Sequence, residues 1–326
     1  MKNVLARLGA AVAILLALPQ GEVLAQPSFP VKPVRVIIGV PPGGLSDNLA
    51  RAMGAELSKT WNQPVLVENR TGASDIIAAD AVAKSAPDGH TIYQANGTLT
   101  MVNQLLRKNL PYDFDRDFMP VLGAVTTSDV LVVRNGLNVN SVAELVALAR
   151  SKPGALNYAS FGFGSAPHLD AEKLSVAAGL RMTHVPYKGG ADVAKALVSG
   201  EVDLSFNGLL SVLGLIRGGQ IKALAWGAPE RSAVIPDVPT LKEAGYPFDT
   251  GSWIGWMVPA ATPRATAEKI SSDASRVLAN PAFREKYVTA VGLEPLNLPI
   301  GPFTTLVKET RESYVNLFSK VQIKLE

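Results

Sequence analysis

Residues 34–59 read VRVIIGVPPGGLSDNLARAMGAELSK, and this stretch decides the fold. The run from Val34 to Val40 is rich in β-branched residues, which is typical of a strand. The prolines and glycines of residues 41–44 end that strand, and the pattern from Ser46 to about Lys59 predicts a helix. The stretch therefore predicts a strand, a Gly-rich turn and a helix in succession.

The same succession recurs along the chain. Short apolar, β-branched runs alternate with helical patterns, and Gly, Pro, Asn or Asp marks each junction. This alternation predicts an α/β protein with largely parallel sheets. The further predicted strands include 65–69, 91–94, 156–159, 182–185, 202–206, 221–226 and 253–258.

Two lobes are predicted from the length and from the repeated turn. At roughly 100–200 residues per domain, 326 residues suggest two domains. The Gly-rich turn occurs at 41–47 and again at 160–165. We expect a cleft between a first lobe, residues 26–125 plus 251–326, and a second lobe, residues 126–250. The hinge is expected at Val125 to Asp129 and again between Trp226 and Trp253.

Composition excludes several classes of protein. The 31 Lys and Arg residues exceed the 28 Asp and Glu residues by only three, and no basic block marks a nucleic-acid-binding arm. A hydrophobic content of 47% argues against disorder. The chain has no cysteine, which excludes a thiol nucleophile, a disulfide framework and any Cys-ligated metal.

The first 25 residues predict a secretory signal peptide. Lys2 and Arg7 precede an apolar stretch from Leu8 to Leu18, and small residues stand before Ala25. About 11 apolar residues are too few for a membrane span, which needs roughly 20. We therefore expect cleavage after Ala25 and export to the periplasm.

The two Gly-rich turns are candidate anion sites. Helix N-termini leave backbone N–H groups unpaired and carry a partial positive charge, and glycine allows an anion to approach closely. Each turn would place such a helix start at the carboxyl end of a strand, where ligands bind in α/β proteins. The alternative is that these glycines serve only the tight turns.

Nucleotide and enzyme functions are less well supported. Gly162 and Gly164 begin a G-x-G-x-x-G pattern, but Pro167 stands in the third position. Ser165 and His168 could pair as in a hydrolase, although a helix-capping serine and a histidine bonded within its own lobe explain them better. The three histidines lack a local metal-binding spacing, so we expect no catalytic residue, metal or cofactor.

The chain resembles the substrate-binding proteins of tripartite tricarboxylate transporters, the Bug family of periplasmic receptors. The resemblance spans nearly the whole mature chain. The residues that carry it are 30–35, 41–44, Asp47, 67–73, 86–91, 110–113, 117–121, 156–160, Gly162, Gly164, 168–169, 184–189, 236–240, 243–245, Trp253 and Gly255.

The resemblance implies a fold like that of type II periplasmic binding proteins, which close two lobes on a small carboxylate. It also implies delivery to a membrane permease; a sensor input that contacts a signalling protein stays an alternative. We expect a monomer. The expected ligand-binding residues are Val40, Pro42, Gly43, Gly44, Leu45, Asp47, Asn96, Ser160, Phe161, Gly162, Gly164, Ser165, His168, Tyr187 and Asn207.

Three departures from the family pattern bear on the ligand. Val40 replaces a frequent aromatic residue before the two prolines. Asp75 ends a segment that is often Gly-rich; we favour a role as a helix cap over one in the cleft, where it would repel a second carboxylate or bind an amine. Phe161 and Phe163 could form an aromatic wall, or one of them could be buried under its turn.

Overall fold

The computed structural model describes residues 29–187 and 189–321. The predicted signal peptide, residues 1–25, and its cleavage point lie outside these residues. Two sheets with helices on both faces make up the described chain, which confirms the α/β fold class. No helix within these residues combines the length and apolarity that crossing a membrane requires.

Eleven strands and eleven α-helices follow one another in the described residues. The strands are β1 (Val34–Ile38), β2 (Val65–Asn69), β3 (Thr91–Asn96), β4 (Phe118–Thr127), β5 (Asp129–Arg134), β6 (Asn157–Ser160), β7 (Thr183–Pro186), β8 (Leu204–Gly208), β9 (Ile221–Trp226), β10 (Ser252–Pro259) and β11 (Leu293–Pro299). The helices are α1 (Leu45–Trp61), α2 (Ile76–Ala83), α3 (Gly97–Leu106), α4 (Phe114–Asp117), α5 (Val142–Ser151), α6 (Ala166–Ala178), α7 (Gly190–Ser199), α8 (Leu209–Arg217), α9 (Arg264–Ala279), α10 (Pro281–Tyr287) and α11 (Ile300–Lys320).

The first sheet has the order β11-β4-β10-β3-β1-β2, and the second has the order β7-β6-β8-β5-β9. The prediction of largely parallel sheets holds for β1 to β3 and for β6 to β8, which pair in parallel. It fails for β5, β10 and β11, which run antiparallel to their neighbours. Strands β5 and β10 each follow a passage of the chain from the other sheet. They therefore enter their own sheet from the edge at which the parallel strands end.

Both faces of each sheet are buried. In β1, Val34 and Val36 pack with α1 and α9, whereas Ile37 packs on the opposite face with α2, α3 and α11. In the second sheet, Leu131 packs with α5 and α6, and Val130 packs with α7 and α8. Burial on both faces explains why the strands read as continuous apolar runs.

The carboxyl ends of the two sheets face each other. Strand β10 is antiparallel to both β3 and β4, so β4 ends at the edge where β1 and β3 end. Strand β5 is antiparallel to β8 and begins where β6 and β8 end. Only Ser128 separates β4 from β5, so these two edges meet at that residue. The turns that follow β1, β3, β6 and β8 consequently line one cleft.

The chain crosses between the sheets a second time along residues 227–251, and hydrogen bonds tie the two crossings together. The Thr250 hydroxyl accepts the Asp129 N–H at 2.9 Å and donates to the Asp129 carbonyl oxygen at 3.0 Å. The Gly251 N–H donates to the buried carboxylate of Asp170 at 2.9 Å. Lys173 lies 2.9 Å from the other oxygen of that carboxylate. Helix α6 is thereby bonded to the second crossing.

Gly251 is predicted to be essential to this junction. Its φ is +80°, and a Cβ atom there would overlap the Thr127 carbonyl oxygen. We expect Gly251→Ala to lower the free energy of unfolding by at least about 2 kcal/mol, measured by urea denaturation. Gly301→Ala is the control, because a Cβ at Gly301 meets no neighbour within 4 Å. Equal stability of the two variants would contradict the prediction.

Candidate functional site

The first Gly-rich turn is ordered by a buried carboxylate. Asp47 accepts the Gly43 N–H at 2.9 Å, two N–H groups of Arg51 at 2.9 and 3.0 Å, and the Asn69 side chain at 2.8 Å. The hydrogen bond from Arg51 is the main reason why the pKa of Asp47 falls to about 2. Asp47 is 2% exposed, so it supports the turn from below. Gly43 and Gly44 remain exposed above it.

Helix α1 begins with open hydrogen-bond donors. Gly44 is its N-cap and offers no side chain, and the first intrahelical bond runs from Asn48 to Gly44. Within the described residues, the N–H groups of Leu45, Ser46 and Asp47 have no hydrogen-bond acceptor. A carboxylate placed over Gly44 would meet these donors and the positive end of the helix dipole.

The second Gly-rich turn uses several donors internally. Gly162 and Gly164 both have positive φ, at 104° and 76°. The Gly162 N–H donates to the Ser160 hydroxyl at 3.1 Å, and the Gly164 N–H donates to Nδ1 of His168 at 3.1 Å. The Ser165 hydroxyl donates to the Gly162 carbonyl oxygen at 2.7 Å. These bonds fix the turn before any ligand arrives.

The open donors of the second turn are therefore other amides. Within the described residues, the N–H groups of Phe163, Ala166 and His168 have no acceptor. Pro167, which lies between Ala166 and His168, contributes no N–H donor. Contact of the two glycine amides with a ligand stays a prediction, and it would require them to exchange their present partners.

Two stacked histidines hold the second turn. The rings of His168 and His184 stack with centroids 4.3 Å apart, and Tyr158 stacks on His184 at 5.0 Å. Nε2 of His184 lies 2.6 Å from the Ser160 hydroxyl. Phe163 meets the two imidazoles edge-on, at 5.4 Å from His168 and 4.7 Å from His184. Sequence reasoning assigned no role to His184, which reaches the turn from a neighbouring strand.

Both imidazoles are neutral near pH 7. Burial lowers the pKa of His168 to about 4, with a further contribution from the nearby His184. Burial also lowers the pKa of His184 to about 4. Nδ1 of His184 is buried and has no partner within the described residues. A proton on Nε2 is then favoured, because it can be donated to the Ser160 hydroxyl and leaves no N–H unpaired.

The serine and histidine contacts do not form a catalytic dyad. Ser165 donates to a backbone carbonyl, and Nδ1 of His168 is occupied by the Gly164 amide, so these two side chains are not paired. Ser160 does contact His184, but Ser160 is fully buried. Nδ1 of His184 also has no carboxylate to orient it within the described residues.

Three further predicted residues lie at the same sheet edges. Asn96 ends β3, caps α3 and accepts the Ser252 hydroxyl at 3.2 Å. Asn207 is fully buried in β8; its Nδ2 donates to Ser205 at 3.0 Å, and its Oδ1 has no partner within the described residues. The Tyr187 N–H donates to the carbonyl oxygen that ends β6. The structure thus gathers these turns around one cleft, while their contact with a ligand stays a prediction.

The remaining residues of the first turn differ in exposure. Val40 is partly buried against the core, and its carbonyl oxygen accepts the Asn69 side chain at 3.0 Å. Pro42 is exposed, and Leu45 is exposed on the first turn of α1. Leu45 therefore presents an apolar side chain beside the open amides.

Asp75 does not cap its helix. It occupies the N-cap position of α2 with a φ of +78°, but its side chain makes no capping hydrogen bond. The carboxyl group turns inward, where the Tyr93 hydroxyl donates to it at 2.5 Å and its other oxygen lies against Gly39. The favoured reading of Asp75 as a cap is wrong, because this left-handed turn directs the side chain into the lobe. At 4% exposure it does not face open solvent either.

Phe161 and Phe163 differ in burial, as the alternative in which one of them lies under its turn predicted. Phe161 is partly buried in the core of the second sheet, beside α7 and α8. Phe163 is 62% exposed on the turn itself. Only Phe163 therefore offers an open aromatic face.

Comparison with known proteins places this chain in a family. Residues 49–322 match the model described as the tripartite tricarboxylate transporter family receptor. The chain belongs to this receptor family. Protein BugT of Bordetella pertussis is 35% identical over 237 residues, which cover 72% of this chain and 73% of BugT.

Solved structures agree with this assignment. Rpa4515 of R. palustris, solved with adipate, is 30% identical with a TM-score of 0.77 over 89% of this chain and 97% of its own. MatC of Rhodopseudomonas palustris, solved with bound malate, is 32% identical with a TM-score of 0.73 over 89% of this chain and 99% of its own. The receptor is therefore a solute-binding protein of the tripartite tricarboxylate transporter type, as the sequence resemblance predicted, and its family is periplasmic.

The neutral histidines predict a loss of stability in acid. The folded pKa of each is about 4 and the ordinary value is 6.5, so the unfolded receptor binds more protons between these values. Stabilisation from this source is present above pH 6.5 and is lost as the pH falls toward 4. We expect His184→Gln to lose less stability than the wild type between pH 7 and 4.5 in urea titrations. An equal loss in both proteins would contradict this.

The contribution of Asp75 to folding stability is expected to have the opposite pH dependence. Burial raises its pKa from the ordinary 3.8 to about 7, so the folded receptor favours the protonated form. This contribution is present below pH 3.8 and is lost as the pH rises through 7. Asp75→Asn retains an acceptor for Tyr93 without a charge. We expect its stability relative to the wild type to increase from pH 5 to pH 8; a constant difference would refute the assignment.

Proposed function

We propose that this chain is exported, is cleaved after Ala25, and captures a small carboxylate by closing its two lobes. The lobes comprise residues 26–125 with 251–326 and residues 126–250. The loaded form would then deliver its ligand to the membrane permease of a tripartite tricarboxylate transporter. We further propose that the receptor acts as a monomer and has no catalytic activity.

One observation carries this proposal. Helices α1 and α6 both begin at turns on the facing carboxyl edges of the sheets, and both present unpaired N–H groups within the described residues. Charge-assisted hydrogen bonds contribute about 1.5–3 kcal/mol each. Three or four such bonds, less the cost of association, leave room for micromolar affinity, about −8 kcal/mol.

The carboxylate-bound relatives support the same class of ligand. Rpa4515 was solved with adipate and MatC with malate. The hydrogen-bonded crossings at Thr250 and Gly251 support hinge closure, because they join the two lobes where the chain passes between them.

Gly44→Val tests the proposed site. Gly44 has an ordinary φ of −78°, and an added Cβ meets nothing within 4 Å, so the variant should fold normally. The new side chain would occupy the space above the open amides of α1. The test measures thermal unfolding of residues 26–326, freed of co-purified ligand, against a panel of carboxylates that includes adipate and malate.

Ligand at a hundredfold excess over Kd should stabilise the wild type by about 2.7 kcal/mol, a shift of a few degrees. Without ligand, Gly44→Val should melt at about the wild-type temperature, and added ligand should not raise that temperature. Gly301→Val is the matched control, since Gly301 is also exposed and open but lies on α11 away from the cleft. An undiminished shift in Gly44→Val would place the ligand elsewhere.

A further inference from the structure

Large apolar side chains are exposed on three turns of the cleft. Leu45 is 40% exposed after β1, Phe163 is 62% exposed after β6, and Leu210 is 42% exposed after β8. Exposed apolar surface is unfavourable in water and, where it is clustered, marks a binding surface. Leu45 and Phe163 stand on the two turns that also hold the open amides.

Phe163 is a fixed wall rather than a loose side chain. Its ring is held edge-on by His168 and His184, with interplanar angles of 75° and 86°. Those contacts occupy only part of the ring and leave the remainder open. A ligand body could therefore pack on Phe163 without the entropic cost of ordering it first.

The described residues of the cleft turns offer no free cation for a second carboxylate. Arg51 is bonded to Asp47 and Asn69, and the Arg70 guanidinium lies 3.1 Å from Glu68. Lys173, near the crossings, is bonded to the Asp170 carboxylate. The first carboxylate needs no cation, because helix amides can hold it. A second carboxylate would find no free cation among these described residues; Lys188, which follows β7 in the sequence, lies outside them.

The side chains of Glu294 and Asp129, near the crossings, are acidic. Glu294 pairs in register with Thr126, close to the end of β4. Burial raises the pKa of Glu294 and, together with the adjacent Asp170, also raises the pKa of Asp129. These shifts arise mainly from the burial of the two carboxyl groups themselves. Neither group adds a positive charge to this end of the cleft.

We propose that the ligand of this receptor is a monocarboxylate with an apolar body, whose carboxylate binds the amides of α1 and α6 and whose body packs against Phe163 and Leu45. This proposal rests on the proposed function and narrows it. Apolar contact supplies the affinity that a second bound carboxylate would otherwise provide. The receptor should accordingly discriminate against ligands with a second charge at the far end.

Hexanoate and adipate provide a matched comparison, because both have six carbons and adipate differs by a second terminal carboxylate. Calorimetric titration of residues 26–326 at pH 7.5, after removal of co-purified ligand, should show hexanoate binding at least about tenfold more tightly, a difference of about 1.4 kcal/mol. Gly44→Val should abolish hexanoate binding, which would place it in the proposed site.

Phe163→Ala should weaken hexanoate binding about tenfold, because it removes the exposed ring and leaves the backbone donors in place. Leu66→Ala is the control: Leu66 is 50% exposed on β2, away from the cleft turns, and its variant should bind like the wild type.

The outcomes separate this proposal from the proposed function. Tighter binding of adipate than of hexanoate would overturn the monocarboxylate proposal and leave carboxylate capture intact. Unchanged hexanoate affinity in Phe163→Ala would overturn the role of that wall. Failure of hexanoate, adipate and every other carboxylate of the panel to bind would overturn both.

Discussion

The hydrogen bonds between the two chain crossings are the constraint on which the rest of the molecule depends. Asp129 and Thr250 exchange bonds through one hydroxyl group, and Gly251 donates to Asp170 on α6. Because a single residue, Ser128, links β4 to β5, the carboxyl edges of the two sheets must face each other. Helices α1 and α6, which begin at those edges, then point amides that are unpaired within the described residues toward one cleft. The position of the proposed site follows from this geometry.

Each of the two Gly-rich turns of the proposed site is ordered by side chains beneath it. Asp47, with Arg51 and Asn69, holds the first turn, and the stacked pair of His168 and His184 holds the second. Asp47 and His168 are buried and His184 is partly buried. Near pH 7 the ordering group is an anion in the first turn and a pair of neutral imidazoles in the second. The donors are consequently preorganised, and ligand binding need not supply that order.

In the proposed site, helix amides would hold a carboxylate without a free cation among the described residues, and this has a consequence for specificity. The amides at a helix start can bind the carboxylate group of ligands that differ widely in shape. The remainder of the cleft must therefore select the ligand. In this receptor that remainder includes the exposed ring of Phe163 and the side chain of Leu45. Selection by apolar contact is consistent with this lining.

The sequence by itself determined the α/β class, the Gly-rich βα turns and the family, because these depend on local patterns such as residues 34–59. It did not determine strand direction, since β5 and β10 are oriented by where the chain crosses between sheets. Nor did it assign His184, which lies 24 residues from Ser160 and meets it only because β6 and β7 are neighbours. Only the tertiary structure decided that Asp75 turns inward to Tyr93 and that Phe163, rather than Phe161, is exposed. Side-chain direction at a turn depends on the backbone angles and on neighbours distant in sequence, which no local pattern encodes.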